Sequence, residues 1–147
     1  TTPYSYALDG LYVGDMPQTS YALVGTLTPI KGLQLQAVYN QYDNNYSDWS
    51  PGAREYDGSD ADVDREQVWK APGYSKVDLH ASYALPISGY DVSLFGHVFN
   101  ATDAIFVQDA VDHSQYNSYG DKVHAAHNAE VFLGTPRYFN VGIAVNF

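Results

Sequence analysis

The sequence has no cysteine, few basic side chains and no long apolar run. Without cysteine the chain can form neither a disulfide framework nor a thiolate metal site, and a catalytic cysteine is excluded as well. Without a run of about 18 apolar residues it holds no candidate for a transmembrane helix. Its 7 basic and 17 acidic residues give a net charge of −10, which argues against nucleic acid as a partner.

The sequence also lacks an initiator methionine and the charged and apolar regions of a signal peptide. It begins Thr1-Thr2-Pro3, which predicts a processed product or a fragment. It contains no nucleophile-elbow pattern and no glycine-rich phosphate loop. We therefore expect neither an enzyme nor a bound cofactor.

What the sequence does contain is a regular alternation of apolar and polar residues. Aromatic side chains make up 15% of the chain, a composition that favours β-strands. The strongest periodicity is that of strands, every second residue, rather than that of helices. It predicts strands over residues 18–28, 33–40, 74–85, 90–99 and 137–147, with a weaker strand over residues 4–13. Between them, residues 29–32 and 86–89 have the composition of tight turns.

The alternation is strictest in the last predicted strand. Its apolar face carries Phe139, Val141, Ile143, Val145 and Phe147. Its other face carries tyrosine, amide and small residues, because successive side chains of a strand project to opposite faces. Such a strand fits the core of a sandwich in water. It also fits a membrane barrel, where outward positions meet lipid and inward positions meet a wet lumen.

The connections between the predicted strands are unequal in length. Two are the tight turns, whereas two are long, polar and tyrosine-rich, near residues 43–73 and 100–136. Strand parity puts the long loops at one end of the sheet and the tight turns at the other, as in outer-membrane barrels. We therefore predict an all-β fold, an antiparallel transmembrane β-barrel in which both long connections are outer loops.

The number of predicted strands indicates that this barrel continues beyond the chain. About six strands cannot close a membrane barrel, which needs at least about eight, because an open edge in lipid leaves backbone groups unsatisfied. Residues 1–147 are therefore expected to form the C-terminal part of one larger barrel domain.

Two segments resemble the C-terminal end of TonB-dependent receptors, the large outer-membrane transporters of Gram-negative bacteria. Residues 134–139, Gly-Thr-Pro-Arg-Tyr-Phe, are similar to the family's Gly-x-Pro-Arg turn at the start of its last strand. Residues 98–103, Val-Phe-Asn-Ala-Thr-Asp, resemble the end of its penultimate strand. His97 stands where the family often has Asn, and the family's usual Tyr is replaced around Ile105 and Phe106.

The resemblance implies a barrel of about 22 strands around an N-terminal plug, and no plug is visible in this chain. It implies uptake of a scarce ligand, such as a siderophore, an oligosaccharide or a peptide, driven by an energy-coupling complex of the inner membrane. The implied partners are the remaining strands and plug of the same gene product, outer-membrane lipids and the barrel-assembly machinery. That machinery would read the terminal aromatic strand, including Phe147, as its signal.

Two other functions remain open. A structural or assembly-associated barrel of the same family would scaffold outer-membrane lipoproteins at the cell surface. A soluble β-sandwich binding module would present aromatic residues to a carbohydrate. Detergent dependence separates the sandwich from both barrels.

Aromatic residues of the two long loops are the candidates for contact with a ligand or partner. They are Tyr46, Trp49, Tyr56 and Trp69 in the first loop, and Tyr116 and Tyr119 in the second. Such rings can stack on a sugar, a siderophore ring or a protein. We favour the structural interpretation, in which they pack the loops together or belong to the aromatic belt at the membrane boundary.

Acidic residues of the first long loop are weak candidates for a metal site. Asp60, Asp62 and Asp64 have the spacing that begins a calcium loop, but Arg65 and Ala71 occupy the positions that need Gly and Glu. A solvated acidic loop is therefore the preferred interpretation.

Four of the five histidines fall into two groups. His124 and His127 could ligate a metal from one helical turn, although histidines of polar loops are expected to be solvated. His80 and His97 lie on strand faces, which predicts hydrogen bonding toward the lumen rather than catalysis.

Overall fold

The computed structural model describes residues 5–57, 63–112, 114, 116–118 and 120–146. The fold is all-β, with antiparallel sheets. The chain divides into two compact units, each assembled from three segments. The sheet unit comprises Ser20–Tyr42, Tyr74–Ile105 and Thr135–Phe147, and the loop unit comprises Thr1–Thr19, Asp43–Gly73 and Phe106–Gly134.

The described residues form ten strands and one short 3-10 helix, Pro51–Arg54. The strands are β1 (Ser5–Tyr6), β2 (Pro17–Ile30), β3 (Leu33–Tyr46), β4 (Glu55–Tyr56), β5 (Lys70–Ala71), β6 (Tyr74–Leu85), β7 (Asp91–Phe99), β8 (Val107–Val111), β9 (Glu130–Leu133) and β10 (Tyr138–Asn146). Five of them are long and form the sheet in the order β10-β7-β6-β3-β2, while β5 pairs with the end of β3. Strands β2 and β10 have one long neighbour each among the described residues, so the sheet has two open edges there.

The long strands follow one another as an antiparallel meander, which confirms the five strongest strand predictions. The β2–β3 turn is Lys31-Gly32, and Gly32 has a φ of +86°. A Cβ there would lie 2.8 Å from the carbonyl oxygen of Ala84, so both the turn conformation and the close approach require glycine. Residues 86–90 make the second tight connection, at the same end of the meander.

The weak strand predicted over residues 4–13 is wrong for the part that the structure describes; Tyr4 lies outside it. Only Ser5–Tyr6 is a strand, and it pairs with β4. A turn at Asp9-Gly10 breaks the extended chain, with Gly10 at a φ of +78°. The side chain of Gln67 donates to the Gly10 carbonyl at 3.2 Å, so a side chain replaces a strand neighbour as the hydrogen-bond partner.

The two long connections contain short ordered elements of the loop unit. Strand β8 pairs with β9, and Asp48 forms an isolated bridge with Val111. The Asp48 N–H donates to Ala110 at 2.7 Å, and the Asp112 N–H donates to Asp48 at 2.9 Å. These bonds tie the two connections together within the loop unit.

Burial is inverted relative to a water-soluble domain. Among the described residues the buried apolar side chains are few and small: Val68, Ala71, Val92 and Ala110. The buried polar side chains are Asn45, Ser47, Arg54, Asp64, Asp78, Asn100, Asp112 and Ser118. Most of the large apolar side chains of the long strands are exposed instead. In soluble domains the ranking of buried residue types is the reverse.

A close contact of Gly142 gives the first testable prediction. Gly142 lies opposite Phe95, and a Cβ on it would lie 2.8 Å and 2.9 Å from two carbons of the Phe95 ring. We expect Gly142→Val to destabilise the sheet by about 1–3 kcal/mol, because the ring must leave its place. Urea unfolding in detergent measures the loss. The Phe95→Ala background should remove most of it, and strictly additive effects of the two changes would contradict the contact.

Candidate functional site

The sheet unit presents a continuous apolar face. The pairing register aligns Ala37, Leu79, Val98 and Phe139 in one row and Leu35, Ala81, Gly96 and Val141 in the next. Phe139, Val141 and Ile143 are 70%, 82% and 60% exposed. Val145 shares this face and is also exposed, whereas Phe147 lies outside the described residues. Exposed apolar patches of this kind mark a surface that contacts lipid or protein.

The opposite face of the same sheet carries a polar row that crosses all five long strands. Gln36 lies opposite His80, His80 opposite His97, and His97 opposite Asn140. At the β2 end, Gln36 donates to the Thr26 hydroxyl at 3.1 Å. The Nδ1 atoms of His80 and His97 are 2.8 Å apart, so one ring donates to the other. One face of the sheet is therefore apolar, and the other carries a row of polar side chains.

The two segments that carry the family resemblance meet in the sheet unit. Asn100 is buried just after β7 in a left-handed conformation, with a φ of +49°. Its N–H donates to Asp78 at 2.9 Å, and its side-chain amide donates to the Thr135 carbonyl at 3.2 Å. The Arg137 N–H donates to Asp103 at 3.0 Å. The motif residues therefore fix the end of β7 to the start of the last strand.

The loop unit is built around a buried ionic cluster that the sequence analysis did not identify. Asp64 forms an ion pair with Arg54, whose Nη1 lies 2.9 Å from the carboxylate, and His124 Nε2 lies 2.8 Å from the same carboxylate. His124 Nδ1 lies 2.9 Å from Asp112, and the Ser118 hydroxyl donates to the same carboxylate. The side chains of Arg54, Asp64, His124 and Asp112 are at most 3% exposed. One histidine thus bridges two carboxylates in the interior of the unit.

Asp64 is held in its ionised form. Burial alone would raise its pKa, but the Glu66 N–H, the His124 ring and the Arg54 guanidinium outweigh burial, so the pKa of Asp64 lies below its ordinary value of 3.8. The Glu66 N–H contributes a hydrogen bond of 3.0 Å. A carboxylate that accepts several such bonds strongly favours the charged form.

Asp112 is ionised for similar reasons. Burial opposes its charge, but the Ser118 hydroxyl, the Trp69 N–H and the His124 ring lower the pKa of Asp112 below 3.8. The two carboxylates lie against opposite nitrogens of the one His124 ring. The cluster thus joins two anions through one imidazole, and the Arg54 guanidinium is its cation.

These pKa directions predict that acid opens the loop unit. A carboxyl whose pKa is depressed in the folded state contributes stability that is complete above its ordinary pKa and is lost as the pH falls through the depressed value. For Asp64 and Asp112 the window therefore lies below pH 3.8. Limited proteolysis over a pH series measures the opening. Asp112→Asn should flatten this pH dependence, and full opening well above pH 3.8 would contradict the assignment.

Of the three candidate metal ligands, the structure describes one, Asp64, and it has other contacts. Asp64 is engaged by Arg54 and His124, while Asp60 and Asp62 lie outside the described residues. The expectation that His124 is solvated is wrong, because its side chain is 3% exposed between two carboxylates. In the part of the chain that the structure describes, no group of three or more His, Asp or Glu residues is arranged to hold a metal ion.

The candidate aromatic residues are mostly engaged within the loop unit. Tyr46 stacks on Tyr12 with ring centroids 4.4 Å apart, and Trp49 Nε1 donates to the Tyr12 carbonyl at 3.0 Å. The Tyr56 ring lies beneath the Arg65 guanidinium, 5.6 Å from its carbon. These three side chains therefore contact other residues of the same unit.

The other two candidate aromatics that the structure describes, Trp69 and Tyr116, differ in their contacts and exposure. The backbone of Trp69 donates to Asp112 at 2.9 Å and accepts from Ser47 at 2.9 Å. Tyr116 is 85% exposed and is therefore accessible to a partner. Tyr119 lies outside the described residues.

Comparisons with known proteins leave the function to be argued from this geometry. No protein-family profile, curated protein or solved structure matches the chain. Among the described residues no helix is long and apolar enough to span a membrane.

Proposed function

We propose that this chain forms part of the wall of a TonB-dependent outer-membrane receptor that takes up a scarce ligand such as a siderophore, an oligosaccharide or a peptide. In this proposal the long strands cross the outer membrane of a Gram-negative bacterium, with the apolar face toward lipid and the polar row toward the lumen. The long connections are extracellular loops and contribute to the ligand-binding surface. The open edges at β2 and β10 pair with the remaining strands of the barrel.

The inverted burial carries the proposal. A soluble sandwich needs a second sheet to cover the apolar face, whereas lipid covers it without one. The described strands of the sheet unit all belong to a single sheet, so they supply no covering layer from within that unit. The contacts among Asn100, Thr135, Asp103 and Arg137 add support, because they join the two segments on which the family resemblance rests.

Detergent dependence tests the membrane part of the proposal. The purified chain should aggregate in buffer and give a dispersed β-rich species only in detergent micelles, because an apolar face and two open edges are exposed in water. Size-exclusion chromatography with circular dichroism makes the measurement. A soluble monomer that melts cooperatively without detergent would instead favour the carbohydrate-binding sandwich.

Transport and scaffolding are separated by their energy requirement. Uptake should depend on the inner-membrane energy-coupling complex, whereas scaffolding of surface lipoproteins should not. Growth on the scarce ligand and the surface level of co-purifying lipoproteins can be compared with and without that complex. Lost growth with unchanged lipoproteins is expected for the receptor; unchanged growth, with lipoproteins lost when the barrel itself is deleted, would favour the scaffold.

A further inference from the structure

Two histidines form a cross-strand pair on the polar face of the sheet unit. His80 on β6 lies directly opposite His97 on β7. Their Nδ1 atoms are 2.8 Å apart, and their ring centroids are 4.9 Å apart. Strand pairing therefore brings together two imidazole nitrogens from positions 17 residues apart in sequence. Imidazole is the commonest protein ligand of transition metals.

Phenylalanine rings hold both imidazoles in place. The His97 ring contacts Phe95 and Phe99, with centroids 5.6 Å and 5.8 Å away. The His80 ring packs edge-on against the same Phe99 ring at 5.6 Å. These contacts restrict the rotation of the histidine side chains, so less conformational entropy is lost when both bind a common ligand. The pair is thus preorganised.

The histidine pair borders an open pocket. Its volume is about 360 Å³, and its lining includes His80, His97, Gln34, Gln36 and Ser82. One water needs only about 10–15 Å³, so a hydrated ion has room to enter. Both histidines are half-buried rather than enclosed. The pocket therefore combines two accessible nitrogens with amide and hydroxyl groups and with space for water.

We propose that His80 and His97 bind Cu²⁺ through their two Nδ1 atoms, with water at the remaining positions. A metal–imidazole bond is about 2.0 Å long, so nitrogens 2.8 Å apart subtend about 90° at a shared metal. Square-planar and tetragonal coordination, which Cu²⁺ and Ni²⁺ prefer, has this angle. Tetrahedral Zn²⁺ needs nitrogens about 3.3 Å apart. Of these ions, Cu²⁺ binds nitrogen ligands most tightly.

Copper takes the place of the proton between the two rings. In the metal-free pair one Nδ1 donates its proton to the other Nδ1. A neutral ring that donates from Nδ1 has no proton on Nε2, so this proton moves to Nε2 when the metal binds Nδ1. Both rings then carry their proton on Nε2. One N–H···N hydrogen bond is exchanged for two metal–nitrogen bonds, without net loss of a proton from neutral rings.

Copper titration of the purified chain, after treatment with EDTA, tests the site. The chain is kept in whichever medium disperses it, buffer or detergent, because the site does not depend on the receptor proposal. Electron paramagnetic resonance should show a tetragonal Cu²⁺ signal with coupling to two imidazole nitrogens. His80→Asn and His97→Asn should each weaken this binding at least about tenfold, since loss of outer-shell partners alone costs about 10–100-fold in metal affinity.

Two further variants separate a lost ligand from a damaged fold. Gln36 lies directly opposite His80, so Gln36→His adds a third imidazole and should tighten Cu²⁺ binding, which a folding defect cannot do. His127→Ala removes an exposed histidine of the loop unit and should leave this signal unchanged. A wild-type chain without a two-nitrogen signal, or equal affinities for wild type, His80→Asn and Gln36→His, would overturn the proposal.

Discussion

Replacing His124 by alanine is expected to open the loop unit while the sheet unit stays folded. The change leaves Asp64 and Asp112 as buried carboxylates without the imidazole that bridges them at 2.8 Å and 2.9 Å. Removing the partner of a buried charge costs about 3–5 kcal/mol, because the remaining charge is uncompensated. When the cleavage rate is proportional to the population of open molecules, this free-energy cost raises the proteolysis rate roughly 10²–10³-fold or more. Limited proteolysis with mass spectrometry of the fragments measures it.

His127→Ala is the matched control for this prediction. His127 lies three positions along the same connection but is exposed, so its loss should leave the cleavage pattern unchanged. Equal proteolysis of the two variants would show that the bridge seen between Asp64 and Asp112 does not hold the loop unit together.

The second large effect is expected from a charge placed on the apolar face. Val141 lies near the middle of β10 and is 82% exposed. An arginine on the lipid face of a membrane barrel costs about 2–4 kcal/mol at the bilayer midplane. Val141→Arg should therefore lower the amount of assembled protein in outer membranes and its unfolding free energy in lipid vesicles.

Asn140→Arg provides the matched control on the neighbouring residue. Asn140 belongs to the polar row, opposite His97, and a charge there would face the lumen. It should assemble normally. If Val141→Arg were tolerated as well as Asn140→Arg, the apolar face would not contact lipid.

The sheet was predictable because its information is local. In β6, β7 and β10 the alternation of apolar and polar residues sets the two faces, and turn-forming residues set the register of each hairpin. The wrong strand prediction over residues 4–13 also arises because the pattern is local. The Asp9-Gly10 turn is one dipeptide in an otherwise strand-like stretch, and the Gln67 side chain that donates to the Gly10 carbonyl comes from a distant segment.

The loop unit was not predictable in the same way, because its contacts join distant segments. Asp64 and His124 are 60 residues apart in sequence, and no spacing rule links them.

The central claim is that alternate residues of β10 contact lipid, and single-cysteine labelling tests it most directly. These 147 residues contain no cysteine, so each variant carries one fluorophore at one position of this chain, in outer membranes or lipid vesicles that contain a nitroxide-labelled lipid. We expect strong quenching at positions 139, 141, 143 and 145 and weak quenching at positions 140, 142, 144 and 146. Uniform quenching along the strand, or quenching only by a water-soluble quencher at the odd positions, would contradict the account.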